Sequence, residues 1–316
     1  VMIIGIDVSK SSFDSAWALS GKSHHGVYEY SDKGIAQLLK DTPETAHYVM
    51  EATGVYHSKL ALTLHEAGRA VTVVNPLVIK RFCQMQLTRV KSDKADAEKI
   101  RQYGEQTDLA LWKPSADEID ALRQAHGWLD DLIRDRTRLL NRQEAHQHQA
   151  KPNNFVTRQM KETYTRLTNQ IVLCEGQLSV IVKKCFPELY EHLVSIPSIG
   201  KKTAIELIVI TEAFSKFAEV KGLSAYTGIS PTTYSSGSSI KCKGVIAKMG
   251  NGRIRQLLYL CSLTAMRSNK DCKALYERMK VAGKPGKVIQ VAIAHKLLRQ
   301  AFAVATKGVY YAENPA

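Results

Sequence analysis

Five strand-sized apolar runs open this chain, at 2–7, 13–19, 25–30, 47–51 and 70–74, and helical stretches near 33–40, 55–67 and 76–87 are interleaved with the later ones. The order is three adjacent strands, a helix, a strand, a helix and a strand. Asp14 and the short turn at Gly21-Lys22 suit a meander of antiparallel strands, after which each strand is reached through a helix. This order predicts an α/β unit over residues 1–112.

Two of those runs end in an acid. Asp7 closes Met2-Ile3-Ile4-Gly5-Ile6, and Glu51 closes His47-Tyr48-Val49-Met50 ahead of the small turn Ala52-Thr53-Gly54. Asp93 and Asp96 stand three apart in Lys91-Ser92-Asp93-Lys94-Ala95-Asp96-Ala97-Glu98, which reads as a helix start. At about 3.6 residues per turn, both carboxylates lie on one helix face. A single Asp after a strand is usually a turn former or a helix cap. Four carboxylates at two strand ends and a helix start are the hard oxygen donors that Mg²⁺ prefers, and they suggest a metal-dependent nuclease. The pattern is that of a ribonuclease H-like sheet, whose first strand carries the first catalytic Asp and whose second acid ends the strand after the first helix.

From about Ser115 the texture changes. Ile119, Leu122, Leu129, Leu132, Ile133, Leu139 and Leu140 recur at helical spacing up to about Ala150, and Lys151-Pro152-Asn153-Asn154 breaks the pattern. A second stretch follows, with Leu167, Ile171, Cys174, Leu178, Ile181 and Cys185 at spacings of three and four, ending before Pro187. Two long amphipathic helices are predicted over 113–187. They form either an antiparallel coiled-coil arm that dimerises or an ordinary helical hairpin packed on its own domain.

The net charge of +14 is uneven: from Pro197 onward 19 Lys+Arg face 6 Asp+Glu, whereas the preceding residues carry 25 against 24. A basic end of this kind is an electrostatic footprint for a polyanion. With no clear amphipathic anchor in the basic region, nucleic acid is favoured over membrane lipid. Residues 188–316 read as helical. Within them Ser195-Ile196-Pro197-Ser198-Ile199-Gly200-Lys201-Lys202-Thr203-Ala204 has the pattern of a helix-hairpin-helix, with a plain helix turn as the alternative. Such a turn offers backbone N–H groups and a helix N-terminus to a phosphate without reading bases, which makes Gly200, Lys201, Lys202 and Thr203 candidate contacts. Downstream, the polar stretch Tyr226 to Ser239 is followed by Lys241, Lys243 and Lys248, then by Arg253 and Arg255, all candidate phosphate contacts. A Ser/Gly run is commonly a flexible linker. Here it sits among basic residues, and a serine becomes a nucleophile where a cation stabilises its anion.

The composition, 44% hydrophobic and 23% charged, suits a folded protein. The six cysteines show no C-x-x-C and no Cys/His zinc spacing, and read as reduced thiols. No apolar run in the sequence approaches the ~18–20 residues needed to span a membrane, and no leader pattern opens the chain, so a cytoplasmic protein without a membrane partner is expected.

Asp7, Glu51 in Glu-Ala-Thr-Gly-Val-Tyr, Asn75-Pro76, Asp93-x-x-Asp96, Ile196-Pro-x-Ile-Gly and Tyr-Ser-Ser-Gly-Ser-Ser occur in that order. Together they resemble the DEDD insertion-sequence transposases related to the Piv DNA invertase, over almost the whole chain. The resemblance implies a RuvC-like (ribonuclease H-like) domain at 1–112, in which Asp7, Glu51, Asp93 and Asp96 hold Mg²⁺. It further implies a coiled-coil dimerisation arm at 113–187 and a basic helical domain at 188–316 with the helix-hairpin-helix and a catalytic serine. By motif position that serine is Ser236, immediately before Gly237. The preceding family position is often acidic or otherwise polar and is occupied here by Ser235, the neighbouring candidate. The implied activity is that of a transposase acting on donor and target DNA, guided by a non-coding bridge RNA, through a covalent 5′-phosphoserine link. A homo-oligomer, a dimer assembling to a tetramer, is implied as well. Site-specific inversion without a guide RNA, a Holliday-junction-type nuclease using activated water, and a non-catalytic nucleic-acid scaffold are the competing readings.

Overall fold

The computed structural model describes residues 1–86, 92–232, 235–236, 240–241, 245–246 and 250–312. The chain divides into two compact units, Val1–Pro114 and Ser115–Ala316.

The first unit runs β1 (Ile3–Val8), β2 (Ser12–Leu19), β3 (Lys22–Glu29), α1 (Asp32–Asp41), β4 (His47–Glu51), α2 (Tyr56–Glu66), β5 (Ala70–Val74), α3 (Pro76–Met85) and α4 (Asp93–Gln106). Its five strands form one sheet in the order β3-β2-β1-β4-β5. β2 is antiparallel to both neighbours, and β4 is parallel to β1 and β5, which is the mixed α/β arrangement the strand order predicts. The turn between β2 and β3 is Ser20-Gly21, not Gly21-Lys22. Both residues have positive φ, 51° and 76°, and Leu19 pairs with Lys22, so a two-residue turn matches the strand twist.

The two-residue period of β1 sorts its side chains. Ile4, Ile6 and Val8 enter a core with Tyr48, Met50, Leu60 and Leu64. Ile3, Gly5 and Asp7 face the opposite side, which α4 covers. Ile100 of α4 packs there with Val49, Val74 and Ile79. The closest approach is at Gly5, where a Cβ would fall on the Ala97 carbonyl oxygen and the Arg101 backbone nitrogen. Gly104, further along α4, lies against Ile3 and Val49. The helix therefore runs antiparallel to β1, and its first turn approaches the Asp7 end of the strand. Arg101 is buried on this helix with its guanidinium paired to Glu98 and Glu105.

This crossing gives a direct test. Gly5→Ala sets a methyl against backbone on both contacts, and no rotamer relieves it. A destabilisation of about 3 kcal/mol or more is expected, at or above the upper end for overpacking. Scanning calorimetry should show the first unit melting at least ~12 °C lower. Gly104→Ala should cost less, since its neighbours are methyl groups that can shift.

The second unit opens with the long helices α5 (Asp117–Gln147) and α6 (Asn154–Cys185), followed by α7 (Pro187–Val194), α8 (Lys201–Thr211) and α9 (Val220–Thr227). Asn153 caps α6, its side chain accepting from Phe155 N at 2.9 Å. Leu122, Leu129 and Leu132 of α5 and Ile171, Leu178 and Val182 of α6 share one core with the helices that follow. The hairpin thus belongs to the same compact unit as the C-terminal helices, where the change of sequence texture suggested a separate middle segment. Four two-residue strands come next: β6 (Pro231–Thr232), β7 (Ser235–Ser236), β8 (Ile240–Lys241) and β9 (Val245–Ile246). β6 pairs with β9 and β7 with β8, both antiparallel, so the polar stretch forms nested ladders. α10 (Gly252–Ser268), α11 (Lys270–Val281) and α12 (Gly286–Lys307) complete the unit.

One expectation needs correction. By length and composition α12, 22 residues holding an 18-residue window of mean hydropathy 1.2, is apolar enough to cross a membrane. Lys296 and Arg299 interrupt it, so no unbroken apolar run marks it in the sequence. Its Ile289, Ile293, Leu297, Leu298, Ala301 and Val304 lie in the unit's core, and that packing accounts for its apolar character.

Candidate active site

Asp7 lies one residue from the end of β1, and Glu51 ends β4. The β1–β4 register, with Gly5 beside Val49 and Ile6 beside Met50, carries both acids onto the sheet face that α4 covers. Asp93 and Asp96 occupy the first turn of α4, which Ser92 caps by accepting from Ala95 N at 3.2 Å. Acids in a capped first turn have an ordinary explanation in the helix dipole. Asp7 has none. Its carboxyl is pushed up to about 6, first by burial and then by the charges of Asp96, Asp93, Glu51 and Asp14. The four sequence-predicted acids therefore share one electrostatic environment. Among the described residues, no three His, Cys, Asp or Glu side chains close around a single ion position. Carboxylates held near one another repel, and a divalent cation would favour the charged form of Asp7. The all-oxygen donor set fits a hard cation.

The Asp7 shift fixes a pH dependence. Its folded pKa, about 6, lies above the ordinary 3.8. The stabilising proton is therefore fully present below about pH 4 and is lost as pH rises through about 6. Allowing for solvent screening of this partly exposed group, Asp7→Asn should gain about 1 kcal/mol at pH 7 without divalent cation. Thermal melts should show that gain, about 4–8 °C for a unit of this size, shrinking toward zero at pH 4.

The basic residues fare differently. Gly200 is the N-cap of α8 at φ −85°, with open space where a Cβ would stand, and Lys201 and Lys202 are exposed beside it. Lys202 pairs with Glu175 at 2.6 Å. Thr203 turns inward, 4% exposed, against Cys261, so its side chain is unavailable to a phosphate. Arg253 is also committed internally, to Asp130 and to Glu206, whose Oε2 also bonds His126 Nε2 at 2.6 Å. Arg255 donates to the Thr227 carbonyl at 2.8 Å. Lys243 and Lys248 lie outside the described residues. Ser236 and Lys241 are described as backbone in β7 and β8, with Ser236 opposite Ile240.

Sequence reasoning passed over two features. The Asp130, Glu206, His126 and Arg253 cluster joins α5, α8 and α10, elements too distant in sequence for any spacing rule. Asp14 suits a meander in the sequence, yet it is a buried β2 residue directly opposite Asp7. The turn bond from Ser9 N to Ser12 O, 2.9 Å, sets that register, and the two serines were the signal available.

A family model for DEDD transposases of the IS110 type matches residues 4–152, and the IS116/IS110/IS902 transposase family model matches residues 190–277. The pilin gene-inverting protein of Moraxella lacunata is 31% identical over 95% of this chain and 94% of its own length, and that of Moraxella bovis matches to the same extent. The transposase for insertion sequence element IS1328 of Yersinia enterocolitica is 24% identical over 99% of both chains. An acid-bearing α/β unit followed by a basic helical unit, with these relatives along its full length, defines a DNA recombinase of the transposase class. The chain belongs to the IS110/IS116/IS902 family of DEDD transposases.

Proposed function

We propose that this protein cuts DNA and rejoins it to a new partner strand through a covalent serine intermediate. The observation that carries this reading is the crossing of α4 over β1, which brings Asp7, Glu51, Asp93 and Asp96 to one end of one sheet face. Those four residues would hold Mg²⁺, which when bound neutralises charge on phosphate oxygens. Ser236 supplies the nucleophile: its Oγ bonds to phosphorus, the P–O3′ bond breaks, and the released 3′-oxygen takes a proton. The 5′-phosphate stays on the serine, and attack by another strand's 3′-hydroxyl reverses the step. One phosphodiester is exchanged for another at each stage, so no external energy source is needed. The basic C-terminal unit holds the DNA, and Lys201 and Lys202, exposed at the start of α8, are candidate contacts. A non-coding bridge RNA as guide rests on the motif resemblance alone, and assembly of a dimer through the α5–α6 hairpin on the exposed Leu140, Val172, Leu173 and Val180.

Site-specific inversion is the second reading, favoured by the identity to two pilin gene-inverting proteins over nearly the full chain. Binding and cleavage by the purified full-length protein test the shared core of both. Affinity for duplex DNA should fall steeply with salt, log Kd rising by at least ~4 per decade as counterions leave about five phosphates. A chelator should stop cleavage without releasing the DNA. Salt-insensitive binding, or cleavage that survives chelation, would count against this assignment.

A further inference from the structure

Asp14 is the acid that the four-residue motif leaves out. It stands directly opposite Asp7 in the β1–β2 ladder, so both side chains leave the same sheet face, with Cβ atoms about 5 Å apart. Continuing the β1–β4 register beyond Ile6 and Met50 sets Glu51 on the other flank of Asp7. Asp14, Asp7 and Glu51 thus form a row across three neighbouring strands. Like charges opposed on a sheet destabilise it, and Asp14 is 9% exposed, which leaves little water to screen the repulsion.

The Asp14 carboxylate is nonetheless held in place. His25 of β3 donates from Nε2 to Oδ1 at 2.7 Å, since an ionised carboxylate only accepts. Oδ2 takes no hydrogen bond from a described residue. On its other side His25 lines a cavity of about 230 Å³ with Ser23, Ser92 and Lys94, beside the first turn of α4. A contact whose sole purpose was to tie β2 to β3 would need an acceptor for His25, and a neutral Asn would serve without adding a charge beside Asp7.

We propose that Asp14 is a positioning residue of the acid site, its Oδ1 fixed by His25 and its Oδ2 accepting from the water shell of the cation that Asp7, Glu51, Asp93 and Asp96 hold. The inference rests on the metal role proposed for those four residues. In this arrangement Asp14 orients Asp7 and the bound water without touching the scissile phosphate. Groups that orient ligands in this way typically change metal affinity by ~10–100-fold when removed.

The test is Mn²⁺ binding by the full-length protein, read by the electron paramagnetic resonance of free Mn²⁺, with cation-free melting temperature measured beside it. Asp14→Asn keeps the size of the side chain and an acceptor for His25. It should weaken Mn²⁺ binding by ~10–100-fold while the cation-free melting temperature holds or rises. His25→Ala should weaken binding as well, and His25→Gln, which retains a donor near the Nε2 position, should recover part of it. A purely structural tie predicts the reverse pattern: wild-type Mn²⁺ affinity in Asp14→Asn, and a lower melting temperature alone in His25→Ala. That result would overturn the inference while leaving the four-acid reading intact. If the wild type and Asp7→Asn bind Mn²⁺ equally weakly, the four-acid reading falls, and this inference with it.

Discussion

Asp96→Asn abolishes strand exchange and leaves DNA binding nearly unchanged: this is the largest single effect expected of the acid site. Asp96 sits in the first turn of α4 and is the strongest of the charges acting on Asp7 after burial itself. Asn keeps the shape and the hydrogen-bonding capacity of the side chain but removes the charged oxygen that would bind a cation. Loss of about 4 kcal/mol of charge stabilisation corresponds to roughly a thousandfold in rate. Under the proposed reading the basic residues after Pro197 carry binding, so electrophoretic mobility shifts should stay within about twofold. The removed repulsion should also lower the Asp7 pKa, an effect visible by carbon-detected NMR in the cation-free protein. Equal loss of binding and of chemistry would identify the acids as structural.

Ser236→Ala should eliminate a protein–DNA adduct. If the serine stores the phosphodiester, denaturing a stalled reaction leaves DNA joined to the peptide spanning 234–241, and mass spectrometry places it on Ser236. Ser235→Ala and Ser238→Ala should reduce the adduct without removing it. Recombination that persists in Ser236→Ala points to activated water as the nucleophile, the junction-nuclease alternative. The two predictions separate cleanly, because Asp96→Asn removes chemistry with the nucleophile in place, and Ser236→Ala removes the nucleophile with the acids in place.

The α/β sheet was legible in the sequence because its strands are short runs punctuated by Ser and Gly turns, and five of five begin and end within three residues of where the runs do. The β2–β3 turn was misplaced by one residue because Ser20, a residue that rarely takes a left-handed conformation, shares the turn with Gly21. The acids of the motif were visible as residue types at element ends. Their grouping was expected from the donor types and the motif resemblance, but not the means of it, a glycine at position 5 that lets a helix lie on a strand. Thr203 and Arg253 illustrate the opposite limit. A basic or hydroxyl side chain near a phosphate-binding turn looks available in sequence, and only packing reveals that Thr203 faces Cys261 and that Arg253 is neutralised by Asp130 and Glu206.

The segment that carries Ser236 leaves and rejoins the helical unit at one point. Gly250, at φ 125°, presses on the Tyr226 carbonyl, and Asn251 N bonds the same oxygen at 3.2 Å. Between these points, among the described residues, β7 pairs with β8 and β6 with β9, while Ile229 stays in the helical core. Such a segment is an interchangeable cartridge: its length and chemistry can be replaced between two fixed sockets while the helices on either side keep their places. Under the proposed reading, the serine and its neighbouring contacts can vary without rebuilding the helices on either side.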